Sequence, residues 1–79
     1  MSYNTSMKVW ILYYEPAYEN TYIEGVYNSP DRAVEGLIKQ MGSSIRQVTK
    51  NKLRQLIQDS GDGELEWRDW YIAYYNVKE

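Results

Sequence analysis

The chain has 79 residues, a net charge of −2, and 43% hydrophobic against 25% charged residues, the proportions of a folded chain rather than a disordered one. It contains no His and no Cys, which excludes most nucleophile–base pairs and nearly all zinc and redox sites. A domain this small buries only about 60% of its unfolded surface, so packing, alone or with association, must hold it together around a thin core.

Met1 to Ser6 lacks periodicity and is expected to fray. Lys8 to Glu15 reads as a strand, rich in β-branched and aromatic residues. Alternation puts Val9, Ile11 and Tyr13 on one face and Trp10, Leu12 and Tyr14 on the other. Both faces are apolar, so both call for cover. Pro16 ends this strand, and the short polar connection to Thr21–Tyr27 predicts an antiparallel hairpin. Gly25 within the second strand marks a bulge or a close backbone approach.

Ser29-Pro30-Asp31 then supplies an N-cap, a proline at the first helical position and an acid in the first turn. Ala33, Val34, Leu37, Ile38 and Met41 recur at helical spacing, and Gly42 stands where a left-handed C-terminal residue is wanted. Ser44 with Gln47 has the pattern of a capping box. It predicts a second helix over Ile45–Gln58 with Ile45, Val48, Leu53, Leu56 and Ile57 inward; a start at Thr49, with Ile45 to Val48 extended, is the alternative.

Asp59 to Gly63 is a turn cluster. From Glu64 to Lys78, Leu65, Trp67, Trp70, Ile72 and Tyr74 alternate with a slip at Arg68-Asp69, as in one strand with a bulge. Helical spacing of Trp67, Trp70, Tyr74 and Val77 competes, and the β-branched and aromatic density decides for a strand. The order strand, strand, helix, helix, strand predicts one small α+β domain. Its antiparallel sheet of about three strands would carry two helices on one face.

The twelve aromatics are nine Tyr and three Trp, with no Phe. A ring with a polar tip suits a surface that is apolar on one side and wet on the other, as recognition surfaces are. Because two helices cover one sheet face only, the Trp10, Leu12, Tyr14 face, or its opposite, is left needing a partner. Lys39 to Arg54 holds five bases and no acid, and Arg46, Lys50 and Arg54 lie four apart as one helical stripe. That stripe is a contact for phosphates or an acidic protein surface, or simply a solvated helix face. The expected contact residues are therefore Trp10, Leu12, Tyr14, Arg46, Lys50 and Arg54.

Gly61 to Trp70 resembles the second half of an EF-hand calcium loop, but the ligand positions of the first half fall on Gln58 and Ser60, too few carboxylates for calcium. No cofactor or metal is expected. The acidic balance argues against nucleic acid held by overall charge. A polar Met1–Met7 and the want of any run of roughly 20 apolar residues predict neither a secretion signal nor a membrane span. The want of Cys fits a reducing cytoplasm.

Trp10 to Tyr14, then Gly25-Val26-Tyr27, then Ser29 with Ala33 make up a pattern of aromatic strand, short acidic loop, second strand and Ser-started helix. Over Val9 to Ile38 it resembles small strand–strand–helix domains of bacteria and their phages. The size and acidic, Tyr-rich character also look like phage early proteins that bind and inhibit host defence machinery. That resemblance implies a non-catalytic inhibitor, acting on a host protein in the bacterial cytoplasm and able to form a homodimer. A protein that sequesters a nucleotide between aromatic rings near Arg46 or Lys50 is the alternative from another class, and an enzyme using carboxylates alone is a third. Millimolar calcium, the weak end of the range for such loops, is expected to leave the melting temperature unchanged. A large rise would place Asp62, Glu64 and Asp69 in a calcium site.

Overall fold

A computed structural model describes residues 6–78, in the order β1 (Ser6–Tyr14), β2 (Tyr22–Tyr27), α1 (Pro30–Met41), α2 (Gln47–Asp59), β3 (Leu65–Trp67) and β4 (Trp70–Lys78). The expected fraying of Met1 to Thr5 lies outside the described residues, whereas Ser6 opens β1. The four strands form one antiparallel sheet in the order β2-β1-β4-β3, with α1 packed over β1, β2 and β4. The α+β class is as expected. The sheet has a fourth strand because the last apolar stretch is a hairpin, not one bulged strand.

That hairpin turns at Arg68-Asp69, and Trp67 pairs with Trp70 across it. Arg68 takes φ 56°, a left-handed value at the first central residue, which is the sense that matches strand twist in a two-residue turn. No Gly or Asn announces it. Because a two-residue loop preserves facing, Leu65, Trp67, Trp70 and Ile72 still share one side of the sheet.

α1 forms as its local signals dictate. The Ser29 Oγ accepts a hydrogen bond from the Arg32 N–H at 3.1 Å, and Gly42 takes φ 83° while its N–H bonds the Lys39 carbonyl. The second helix differs from both expected starts. Arg46, not Ser44, holds the N-cap position, no side chain caps the helix, and the Gln47 amide donates to Asn51 instead. Ile45 is drawn out of the helix to pack against the edge of the core. Helical phase then follows Leu53 and Ile57, both buried. Val48, five residues before Leu53 and so off that face, is 67% exposed, and Leu56 sits at its margin.

The core is one cluster built from Leu12, Ala33, Val34, Leu37, Ile38, Leu53, Ile57, Leu65 and Ile72. Burying each of the larger side chains contributes roughly 1.5–3 kcal/mol. Tyr27 closes one side of it, and its ring explains two glycines. A Cβ on Gly25 would lie 2.7 Å from the ring, and a Cβ on Gly36, in mid-helix, would overlap the Tyr27 hydroxyl. The bulge expected at Gly25 is present: Leu12 pairs with Gly25 but Tyr13 pairs with Ile23, leaving Glu24 as the extra residue.

Replacing Ser29 by Ala removes the only side-chain cap of α1 and is expected to cost about 1 kcal/mol in urea denaturation. A loss within error of zero would show that core packing alone holds this end of the helix.

Candidate functional site

Alternation along β1 sends Leu12 into the helix-covered side, where it is 0% exposed, and Trp10 and Tyr14 share that side. This corrects the first-named contact face. Trp10 packs on Tyr74, with ring centroids 5.3 Å apart, and donates its indole N–H to the Asp62 carbonyl at 2.8 Å. Gly63, at φ 83°, lies so close that a Cβ there would come within 2.6 Å of Pro30. Trp10 therefore fastens the α2–β3 loop to the sheet. Tyr14 packs on Trp70 at 4.6 Å. Leu12 is closed to any partner, while Trp10 and Tyr14 are half-buried against rings of β4.

The face left bare is the opposite one. The register carries Met7, Val9, Ile11 and Tyr13 of β1 beside Val77, Tyr75, Ala73 and Tyr71 of β4, with Ile23 and Val26 of β2 completing the far side. Ile23 and Val26 stand three residues apart and share this face only because the bulge intervenes. They are 69% and 60% exposed, and Tyr75 is 51% exposed. The shortest dimension of the molecule, 18 Å, holds the sheet and one helix layer of about 10 Å, with no room for a second.

Tyr13 and Tyr71 stack at 5.1 Å on this bare face. Partial burial raises the pKa of both phenols. Neighbouring Tyr75, Glu15, Tyr71 and Glu64 add to the effect at Tyr13, as Glu66, Glu15 and Asp69 do at Tyr71. One end of the apolar face thus has carboxylates near it, with Glu66 directly opposite Tyr71 in the register. Sequence reasoning named Trp10, Leu12 and Tyr14 first because both faces of β1 are equally apolar; only the placement of the helices distinguishes them.

The basic stripe is divided between tasks. Arg54 makes a two-pronged pair with Glu35 of α1, Nε to Oε2 at 2.6 Å and Nη2 to Oε1 at 2.9 Å, so it clamps the two helices and is not free for a partner. Lys50 is half-buried near the same carboxylate and helps to lower its pKa. Arg46 is exposed at the start of α2 and lines a cleft of about 620 Å³. Tyr14, Trp67, Trp70, Arg68 and Asp69 also line it, between the α1–α2 connection and the β3–β4 turn. Arg46 thus shares the cleft with three aromatic residues and with Arg68, which no spacing rule picks out. Lys52 adds its ammonium 5.6 Å from the centre of the Trp67 ring.

Two of the four acids of the calcium-like segment accept backbone hydrogen bonds. Asp62 accepts from the Glu64 N–H, and Glu64 accepts from the Tyr74 N–H, a backbone donor on the β4 edge beyond the reach of β3. Among the described residues no three His, Cys, Asp or Glu side chains gather as metal ligands, and no helix is long and apolar enough to cross a membrane. No protein-family model matches this chain, and no curated protein or solved structure shows significant similarity to it.

The Arg54 hydrogen bond is the largest cause holding Glu35 below its ordinary pKa of 4.5, against a smaller opposing effect of burial. A carboxylate depressed in the folded state stabilises above its unfolded pKa, and that stabilisation is lost as pH falls through the lower folded value. Both side chains are substantially exposed, so the effect is small. Glu35→Gln is expected to lower the urea midpoint at neutral pH. The gap from the unsubstituted protein should close in acid below the carboxylate range; a gap independent of pH would assign the loss to packing.

Proposed function

We propose that this chain is a non-catalytic protein-binding module that blocks a bacterial host protein, as small phage-encoded inhibitors of host defence do, within the host cytoplasm. One observation carries the reading: the sheet face of Val9, Ile11, Tyr13, Ile23, Val26, Tyr71 and Tyr75 is apolar, contiguous and uncovered by the chain's own helices. Monomeric proteins rarely leave such a patch in water, and large ones mark association. Its composition fits recognition, since Tyr gives wide contact area at low entropy cost.

The charges define the partner further. Glu66 lies opposite Tyr71 in the strand register, and Glu15 and Glu64 act on the Tyr13 phenol, so the complementary surface is apolar at its centre and basic along one side. Such complementarity steers encounter and orientation more than it adds affinity. The absence of His and Cys from the chain agrees with a role that ends at binding.

Val26→Lys and Tyr75→Lys each place an ammonium on the exposed sheet face without touching the core. Both variants are expected to keep the circular dichroism and melting temperature of the parent. Each should weaken binding to the host protein captured from bacterial lysate by at least about 30-fold, the loss at a binding hot spot. Equal binding by the variants would remove the sheet face from the reading. Concentration-dependent self-association that the same substitutions abolish, with no specific host protein captured, would replace a host target by a second copy of this chain.

A further inference from the structure

The cleft on the helix side is a second unused surface, independent of the sheet face and opposite to it. Its volume of about 620 Å³ falls within the roughly 300–1,000 Å³ of small-molecule sites. Three aromatic residues, Tyr14, Trp67 and Trp70, line it, and so do two arginines, Arg46 and Arg68. Neither arginine forms an ion pair among the described residues, although Asp69 lines the same space; the one ion pair there is Arg54–Glu35. Unneutralised guanidiniums beside aromatic rings are suited to a ligand that is both planar and anionic.

Two further observations point into the same space. Arg68 holds a left-handed φ of 56° at a turn position that Gly would take without strain. A strained residue that presents a functional side chain is the arrangement expected where position matters more than local ease. The start of α2, with Ser44 and Thr49 also in the lining, has no side-chain cap and no acid in its first turn; Arg46 and Lys50 are there instead. Cations at that end oppose the helix dipole, and a bound anion would offset their charge.

We propose that this cleft binds a free nucleoside monophosphate. The base stacks on the indole wall of Trp67 and Trp70, and the phosphate sits between Arg46 and Arg68 at the start of α2. Asp69 is the one carboxylate in the lining and is suited to hydroxyl or amine donors of the ligand, not to its phosphate. A single mononucleotide matches the volume of this open cleft, and the net charge of −2 disfavours a longer polyanion.

Adenosine 5′-monophosphate is the probe, followed by tryptophan fluorescence and by melting temperature. It is expected to quench the emission and raise the melting temperature at sub-millimolar concentration, with adenosine and inorganic phosphate each at least about tenfold weaker. Arg68→Gly decides between a ligand role and a structural one. Glycine accepts the left-handed turn, so this variant should melt no lower than the parent while losing at least about tenfold in affinity, as should Arg46→Glu. Val26→Lys and Tyr75→Lys, on the far side of the sheet, should bind the probe like the parent, so failure here is distinguishable from failure of the sheet-face reading. No response at millimolar nucleotide, undiminished binding by both arginine variants, or tighter binding of a thymidine decamer than of the mononucleotide would overturn the proposal.

Discussion

Leu12 of β1, Leu37 of α1 and Leu53 of α2 are each fully buried in one cluster, one from the sheet and one from each helix, and the rest of the structure is arranged around that cluster. A chain of this length can build one core, and this core is spent on joining two helices to one face of one sheet. Among the described residues, no helix covers the other face. The bare sheet follows from the length of the chain and the amphipathicity of two helices as directly as the buried one does.

Two local devices keep the layers in register. Trp10 reaches across from β1 to the Asp62 carbonyl, while Gly63 lets the same loop approach Pro30 at the head of α1. Tyr27 fills the notch left by Gly25 and Gly36, so that β2 and α1 meet where neither could carry a side chain. A glycine in mid-helix lowers helix stability by about 1 kcal/mol relative to alanine. The fit of an aromatic ring against the helix backbone is what that cost accommodates.

Charge is distributed by the same economy of space. The bidentate Arg54–Glu35 pair is a bridge between helices, exposed enough that its worth lies more in setting their orientation than in stability. Lys52 lies over Trp67 and shields part of an indole that would otherwise face water. Arg46 and Arg68 are left in the cleft without such a duty. Glu15, Glu64 and Glu66 stand instead near Tyr13 and Tyr71, at the same end of the sheet but on its bare face. The cleft and the bare face thus differ in sign, which suits them to different occupants.

The sequence determined those features whose causes are local. α1 is bounded by a serine that caps, a proline that starts and a glycine that ends it, and its apolar period needs no knowledge of the fold. The bulge at Gly25 and the α+β order are legible for the same reason. The start of α2 was not, because Ser44 and Gln47 satisfy a capping pattern that the burial of Ile45 overrides. Nor was the hairpin at Arg68, whose positive φ is imposed by the pairing of Trp67 with Trp70 and not by its own preference. Arg54 found its partner nineteen residues away, beyond any helical spacing. Above all, β1 is apolar on both faces, so alternation identifies two surfaces and ranks neither. Which of them is core and which is open was decided only when the helices packed on one side, because burial is a property of the neighbours a residue meets and not of the residue itself.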